Sequence, residues 1–248
     1  MNSSYHRQVA FPSELGNSTT RQLQGISPAL LIPVGSTEQH GPHLPLDTDT
    51  RIAVAVAGGV ADRLADADPD SGWMIAPPIG YGASGEHESF SGTVSIGTAA
   101  LRLLLVEFGR SAASWTRRLV FLNGHGGNVE ALAAAAALLR YEGRDAGWCS
   151  CGVQNADAHA GHTETSVLLH ISPGGVRLEE MVPGNRAPLA DLLPAMRSGG
   201  MAAVSEVGVL GDPTTATAAD GERLYAEMVD GCARRIARWK PDRNGMLT

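Results

Sequence analysis

The sequence predicts an α/β fold built on a mainly parallel sheet covered on both faces. Three observations lead there. Short apolar runs at 29–34, 118–122 and 147–153 have the length of buried strands. Segments with helical spacing lie between them, the alternation expected of parallel strands joined by helices. Each run also ends in polar, glycine-containing sequence, where open α/β sheets gather their ligand-binding residues.

The elements follow in order. Ala29–Val34 (ALLIPV) stops at Gly35 and reads as the first strand. Residues 50–65 (TRIAVAVAGGVADRLA) keep helical spacing despite Gly58 and Gly59, and DADPDSG then makes a turn. WMIAPPIGYG, residues 73–82, predicts a strand whose prolines limit its pairing, followed by the glycine-rich ASGEHESFSGTVS. Residues 98–115 predict an amphipathic helix, and RLVFL (118–122) a strand running straight into NGHGGN. The alanine-rich 129–140 suits a helix packed closely on a sheet. The strand at 147–153 runs into QNADAHAGHTETS, with a helix starting at the polar cluster over 163–170. Residues 172–219 are rich in Gly, Pro and Ala with little periodicity, so long loops are expected before a final helix over 219–239. No internal repeat is present, and one domain over 1–248 is expected.

Composition excludes several functions. The chain has 248 residues, 43% of them hydrophobic, enough for a large core. With 26 acidic against 19 basic residues, a net charge of −7 and no basic run, it lacks the footprint of a nucleic-acid binder. No apolar stretch is long enough to span a membrane, and the polar Met1–Arg7 lacks the layout of a secretory signal, so a cytoplasmic protein is expected. Cys149, Cys151 and Cys232 have neither the number nor the spacing of a disulfide framework or zinc knuckle, and are expected to be buried thiols.

The chemistry concentrates at the strand ends. Glu38 and His40, two apart, point the same way if the chain stays extended. Asp49 can fold back after the GPHLPL turn, with Leu44 and Leu46 anchoring that turn in the core. His125 stands between Gly124 and Gly126, where the backbone can approach closely, and His159 and Glu164 close the last cluster. Oxygen and nitrogen donors without thiolate suit Zn, Fe or Mn, and carboxylates can bridge two such ions. The carboxylates of Glu38, Asp49 and Glu164 leave two divalent ions one negative charge short, which a hydroxide supplies. Metal binding lowers the pKa of water to about 7 in zinc sites, so hydrolysis is the expected output.

Rival motifs fail. The HE of His87-Glu88 has Ser91 where a zinc-protease helix needs its second His, and His162-Thr163-Glu164 lacks the Pro-Cys-x-x-Cys of zinc deaminases. NGHGGN matches neither the P-loop nor the dinucleotide pattern.

Four blocks in order, GSTEQHGPHLPLDTD, GASGEHESFSGTVS, NGHGGN and DAHAGHTETS, resemble the creatininase (creatinine amidohydrolase) family. They span residues 35–166, more than half of the chain. The resemblance implies a three-layer α/β/α sandwich, two divalent metal ions per subunit, hydrolysis of C–N bonds and a homo-oligomer, commonly a hexamer. It also implies that Glu38, His40, Asp49 and His125 are metal ligands with Asp49 bridging. Creatinine-hydrolysing members carry a Glu two residues after the third-block His. Gly127 stands there, and Glu164 is similar to the ligand other members use instead. His159 resembles the family's proton shuttle, which protonates the leaving amine. Asn155 replaces the indole that sandwiches creatinine, which argues against that substrate.

The run LLIPVGSTEQHGPHLPLDTDT, with the Ala- and Arg-rich composition, is most similar to family members that act as peptidases on a modified ribosomal precursor peptide in redox-cofactor biosynthesis, releasing its C-terminal Val-Tyr dipeptide. Two alternatives remain: an amidohydrolase acting on a cyclic or formylated amine, and a catalytically silent metal-binding scaffold subunit. Ser84, Glu86 and Asn128 are weaker candidates for substrate contact, and His43 for orienting a carboxylate.

Overall fold

Strands that are apolar at every position must be buried on both faces. Ala29–Val34 (β1) has all six residues buried, and its side chains divide between two cores. Leu31 joins one cluster and Leu30, Ile32 and Val34 the other, the two-residue period of a strand. The computed structural model describes residues 14–154 and 156–248; the expectations for Met1–Arg7 and Asn155 lie outside the described residues.

After a one-turn helix, Thr20–Leu23 (α1), and β1 come Thr48–Ala67 (α2), Trp73–Ile75 (β2), Gly97–Ala112 (α3), Arg118–Asn123 (β3), Val129–Tyr141 (α4) and Ala146–Ser150 (β4). His162–Ile171 (α5), Leu189–Gly199 (α6) and Ala218–Arg238 (α7) complete the helices. The four strands are parallel, in the order β2-β1-β3-β4. The chain steps one way from β1 to β2 and the other way from β2 through β3 to β4. Right-handed crossovers therefore place α2 on one face and α3 and α4 on the other. α5 and α7 pack with α2, giving the three-layer α/β/α arrangement. The place where the strand order reverses lies between β1 and β3, and ligands are bound at such a switch point.

Local chemistry sets the element ends. Pro33 is tolerated in a central strand because the side on which it offers its carbonyl, to the Ile79 amide at 2.9 Å, is the side where β2 has already stopped. The prolines at 77 and 78 follow after Ala76, so of the strand expected over 73–82 only three residues form. The strand expected over 147–153 is Ala146–Ser150; Cys151 leaves it but still donates its amide to the Asn123 carbonyl at 2.8 Å. At the β4 edge the C-terminal residues cover the exposed backbone, Leu247 N donating to Trp148 O at 2.8 Å. The three cysteines are free and buried, as expected.

Two expectations are corrected. Residues 172–219 are not all loop: Leu189, Leu192, Leu193 and Met196 fall at helical spacing in α6, which forms despite Pro194 in its interior. Leu44 does enter the core, but Leu46 stays 39% exposed and lies against Gly92. No helix among the described residues is long and apolar enough to cross a membrane.

Candidate metal centre and active site

The start of α2 is wedged between the ends of β1 and β3. A Cβ at Gly35 would lie 2.5 Å from the Thr50 backbone nitrogen, and one at Gly124 2.4 Å from the Asp49 carbonyl oxygen. Only glycine permits both approaches, and together they set Asp49 at the switch point. Ser36 Oγ then donates to Asp49 Oδ2 at 2.7 Å and fixes the carboxylate.

Asp49 lies between two imidazoles. His40 Nε2 is 3.1 Å from its Oδ1, and His125 Nδ1 is 3.1 Å from its Oδ2. On the His125 side, Glu38 Oε2 lies 3.1 Å from His125 Nε2. On the His40 side, Glu164 Oε2 is 3.9 Å from His40 Nε2 and accepts the Ala160 amide at 2.6 Å. Ala160 adopts φ 52°, a strained left-handed conformation for a residue with a side chain, and this turns its N–H toward Glu164. His40 Nδ1 donates to the Glu38 carbonyl at 3.1 Å, leaving Nε2 to face the carboxylates.

His159 enters from the β4 side. Its Nε2 donates to the Gln39 carbonyl at 2.9 Å, so Nδ1 is the ring nitrogen that faces the cluster, 3.9 Å from Glu38 Oε1. The Gln39 side chain, buried beneath it, donates to His87 Nδ1 at 2.8 Å and to the Gly208 carbonyl at 3.1 Å. His87 Nε2 in turn lies 3.4 Å from Glu38 Oε1.

Burial and mutual charge set the protonation of this cluster. Burial raises Glu38 to about 7, against the pull of His125, and raises Glu164 to about 7 against that of His40. Burial disfavours charge on His40 and His125 too, but the surrounding carboxylates lift both to about 10. Asp49 stays well below the usual carboxylate range; burial acts against its charge, but the two imidazoles beside it prevail. Burial, with the neighbouring imidazoles, pushes His87 down to about 3 and His159 well below the ordinary histidine value. His159 is therefore uncharged at neutral pH.

The donor set fits divalent cations. Glu38 is fully buried, and neither carboxylate oxygen has a hydrogen-bond partner. A buried carboxylate left so is costly unless a cation satisfies it. Donor atoms of Glu38, His40 and Asp49 lie within 4.8 Å of one another, as do those of His40, His159 and Glu164 and those of Glu38, His87 and His159. Hard oxygen and imidazole donors of this kind suit Zn, Mn or Fe.

All six residues singled out for the metal and for proton transfer, Glu38, His40, Asp49, His125, His159 and Glu164, thus meet in one cluster. The weaker candidates divide. Glu86 lines the cavity above it. Ser84 is fully buried with Oγ 3.4 Å from His125 Nε2, and Asn128 is fully buried, its amide holding the Ala83 N–H and the Gly35 carbonyl at 2.9 Å each. Neither is among the residues that line the cavity, and both brace the loops around it. His43 donates or accepts at Thr165 Oγ1, 2.9 Å away, rather than at a carboxylate. His87 and Gln39 also belong to the cluster, although residue spacing does not mark them as donors; the sequence points to His87 only through the block GASGEHESFSGTVS and the rejected HE pair.

A parallel sheet with a buried cluster of carboxylates and imidazoles at its switch point defines an α/β protein with a metal-competent centre. The chain belongs to the creatininase family: the family model described as creatinine amidohydrolase matches residues 14–236. It is 74% identical over 249 residues to a protein of Mycolicibacterium smegmatis named mycofactocin precursor peptide peptidase, covering all of both chains. Among solved structures it resembles a manganese creatininase at TM-score 0.75 and 27% identity, over 93% of this chain and 100% of that one. A Zn-Zn form of a mutant creatininase matches equally, at TM-score 0.75 and 27% identity over 93% and 99% of the chains.

Proposed function

We propose that this protein is a divalent-metal-dependent peptidase that releases the C-terminal Val-Tyr dipeptide from the mycofactocin precursor peptide during redox-cofactor biosynthesis, in the cytoplasm where that peptide is made. The substrate reading rests on the full-length likeness to the M. smegmatis peptidase. The chemical reading is carried by one observation, the fully buried Glu38 with two unpartnered oxygens amid donor groups.

In this reading the chain is a single domain holding two ions. Glu38, Asp49 and His125 would hold one, and His40, Asp49 and Glu164 the other. The bound ions supply Lewis acidity toward the scissile carbonyl and lower the pKa of water. Ser36 fixes the Asp49 carboxylate between His40 and His125, and the Glu38 carbonyl holds the His40 ring. His159, neutral and presenting Nδ1, takes the proton of the attacking water and returns it to the departing nitrogen. Its orientation is held at Nε2 by the Gln39 carbonyl, so proton transfer needs no ring flip.

Incubation of metal-loaded protein with the precursor peptide, followed by mass spectrometry, tests the reading. A released dipeptide is expected. An intact peptide beside fully loaded protein contradicts it.

A further inference from the structure

Two adjoining cavities flank α6, and one of them opens onto the metal centre. The first, about 330 Å³, has the cluster as its floor and α6 as one wall. Leu192 turns into a small core with Met201 and Leu210, while Leu189 and Leu193 remain 43% and 36% exposed. Leu189, Leu193 and Met196 face the cavity that also exposes Asp49, His125, His159 and Glu164. Among the described residues no lysine or arginine lines this chamber. Large apolar side chains exposed toward a catalytic floor, with no lysine or arginine beside them, select apolar side chains.

The second cavity, about 660 Å³, is mixed: the charged and polar Asp157, Asn185, Arg186 and Asp212 line it together with Ala187, Pro188 and Leu189. Ala158, Leu189 and Leu210 line both, so the chambers meet beside His159. A ligand the size of one small ring needs only the first chamber; a ligand that uses both is an extended chain.

We infer that α6 is the specificity element of a two-chamber peptide cleft: Leu189, Leu193 and Met196 hold the apolar side chains on the leaving side of the scissile bond, and the larger, mixed chamber holds the acyl-side chain. The direction follows from His159, which lines only the apolar chamber and delivers its proton to the leaving nitrogen. The inference rests on the peptidase reading.

The test uses the metal-loaded full chain, wild type and Leu193→Lys, with peptides whose leaving residues are either apolar or acidic. Metal content is measured in parallel. Wild type is expected to favour the apolar leaving group by roughly 10- to 200-fold in kcat/KM, the range for a hydrophobic pocket. Leu193→Lys, with metal content unchanged, should lose on the apolar peptide and gain on the acidic one. A merely structural role for Leu193 would lower both peptides together. An unchanged preference, or an equal loss on both, overturns the assignment of α6 while leaving the peptidase reading intact. If loaded wild type cleaves neither peptide, the peptidase reading fails first, and the cleft with it.

Discussion

The floor and the roof of the same cavity are made by different rules. The floor is rigid: Glu38, His40, Asp49 and His125 follow directly on β1 and β3 or begin α2, and two glycines lock these ends together. The roof, α6, is an 11-residue helix with a proline inside, entered from Pro188 and left through Gly200, and it buries little beyond Leu192. Chemistry common to a family needs donors held within a fraction of an ångström, whereas substrate choice needs only a surface of suitable polarity. Strand ends supply the first and a loosely attached helix supplies the second.

Substitutions should separate the two. Asp49→Asn, at the floor, is expected to lose metal and turnover together, down to background, as read by metal analysis and rate on one sample. The same measurements on His159→Ala should show metal retained and turnover lowered by about 10²- to 10⁴-fold, the usual worth of a positioned acid-base group; full activity would remove His159 from the mechanism.

Smaller effects probe what braces the floor. A Cβ at Gly127 would lie 2.2 Å from the Ala83 carbonyl oxygen and 2.5 Å from His125 Nε2. Gly127→Ala is therefore expected to cost about 1–3 kcal/mol, as overpacking does, and to lower Tm measurably. An unchanged Tm would show that this loop yields, and that a carboxylate at 127 could be accommodated after all. His43, fully buried, is pushed down to about 4 by burial, then by the nearby His40 charge. The unfolded chain takes up this proton near pH 6.5 and the folded one only near 4, so stability falls as the pH drops through that window. Between about pH 7 and about pH 5.5 the loss is on the order of 1 kcal/mol. Denaturant unfolding of wild type and His43→Gln at both pH values should show the smaller loss in the variant.

The same contrast explains what was legible in the sequence. ALLIPV and RLVFL are apolar runs with polar ends, so both strands and the residues that follow could be read. The alternation of strand and helix gave the parallel sheet. The clustering of Glu38, Asp49, His125 and Glu164, which are far apart along the chain, could be inferred because each begins or follows an element at the same sheet edge. α6 was missed although Leu189, Leu192, Leu193 and Met196 carry helical spacing, because Pro194 and the surrounding Gly and Pro outweigh four apolar positions. Gln39 was missed for another reason. Its partners His87, His159 and Gly208 are brought to it only by tertiary folding, and nothing local marks a glutamine as a bridge. Leu46 sits at a spacing that fits the core, yet its backbone carbonyl accepts the Glu38 amide at 2.9 Å and the turn leaves its side chain outward.

The measurement closest to the central claim is metal stoichiometry set beside activity. Elemental analysis of the purified chain, before and after exhaustive chelation, should find two divalent ions per chain at first. Cleavage should vanish with their removal and return when Zn, Mn or Fe is restored. Undiminished cleavage by the stripped protein would contradict the account.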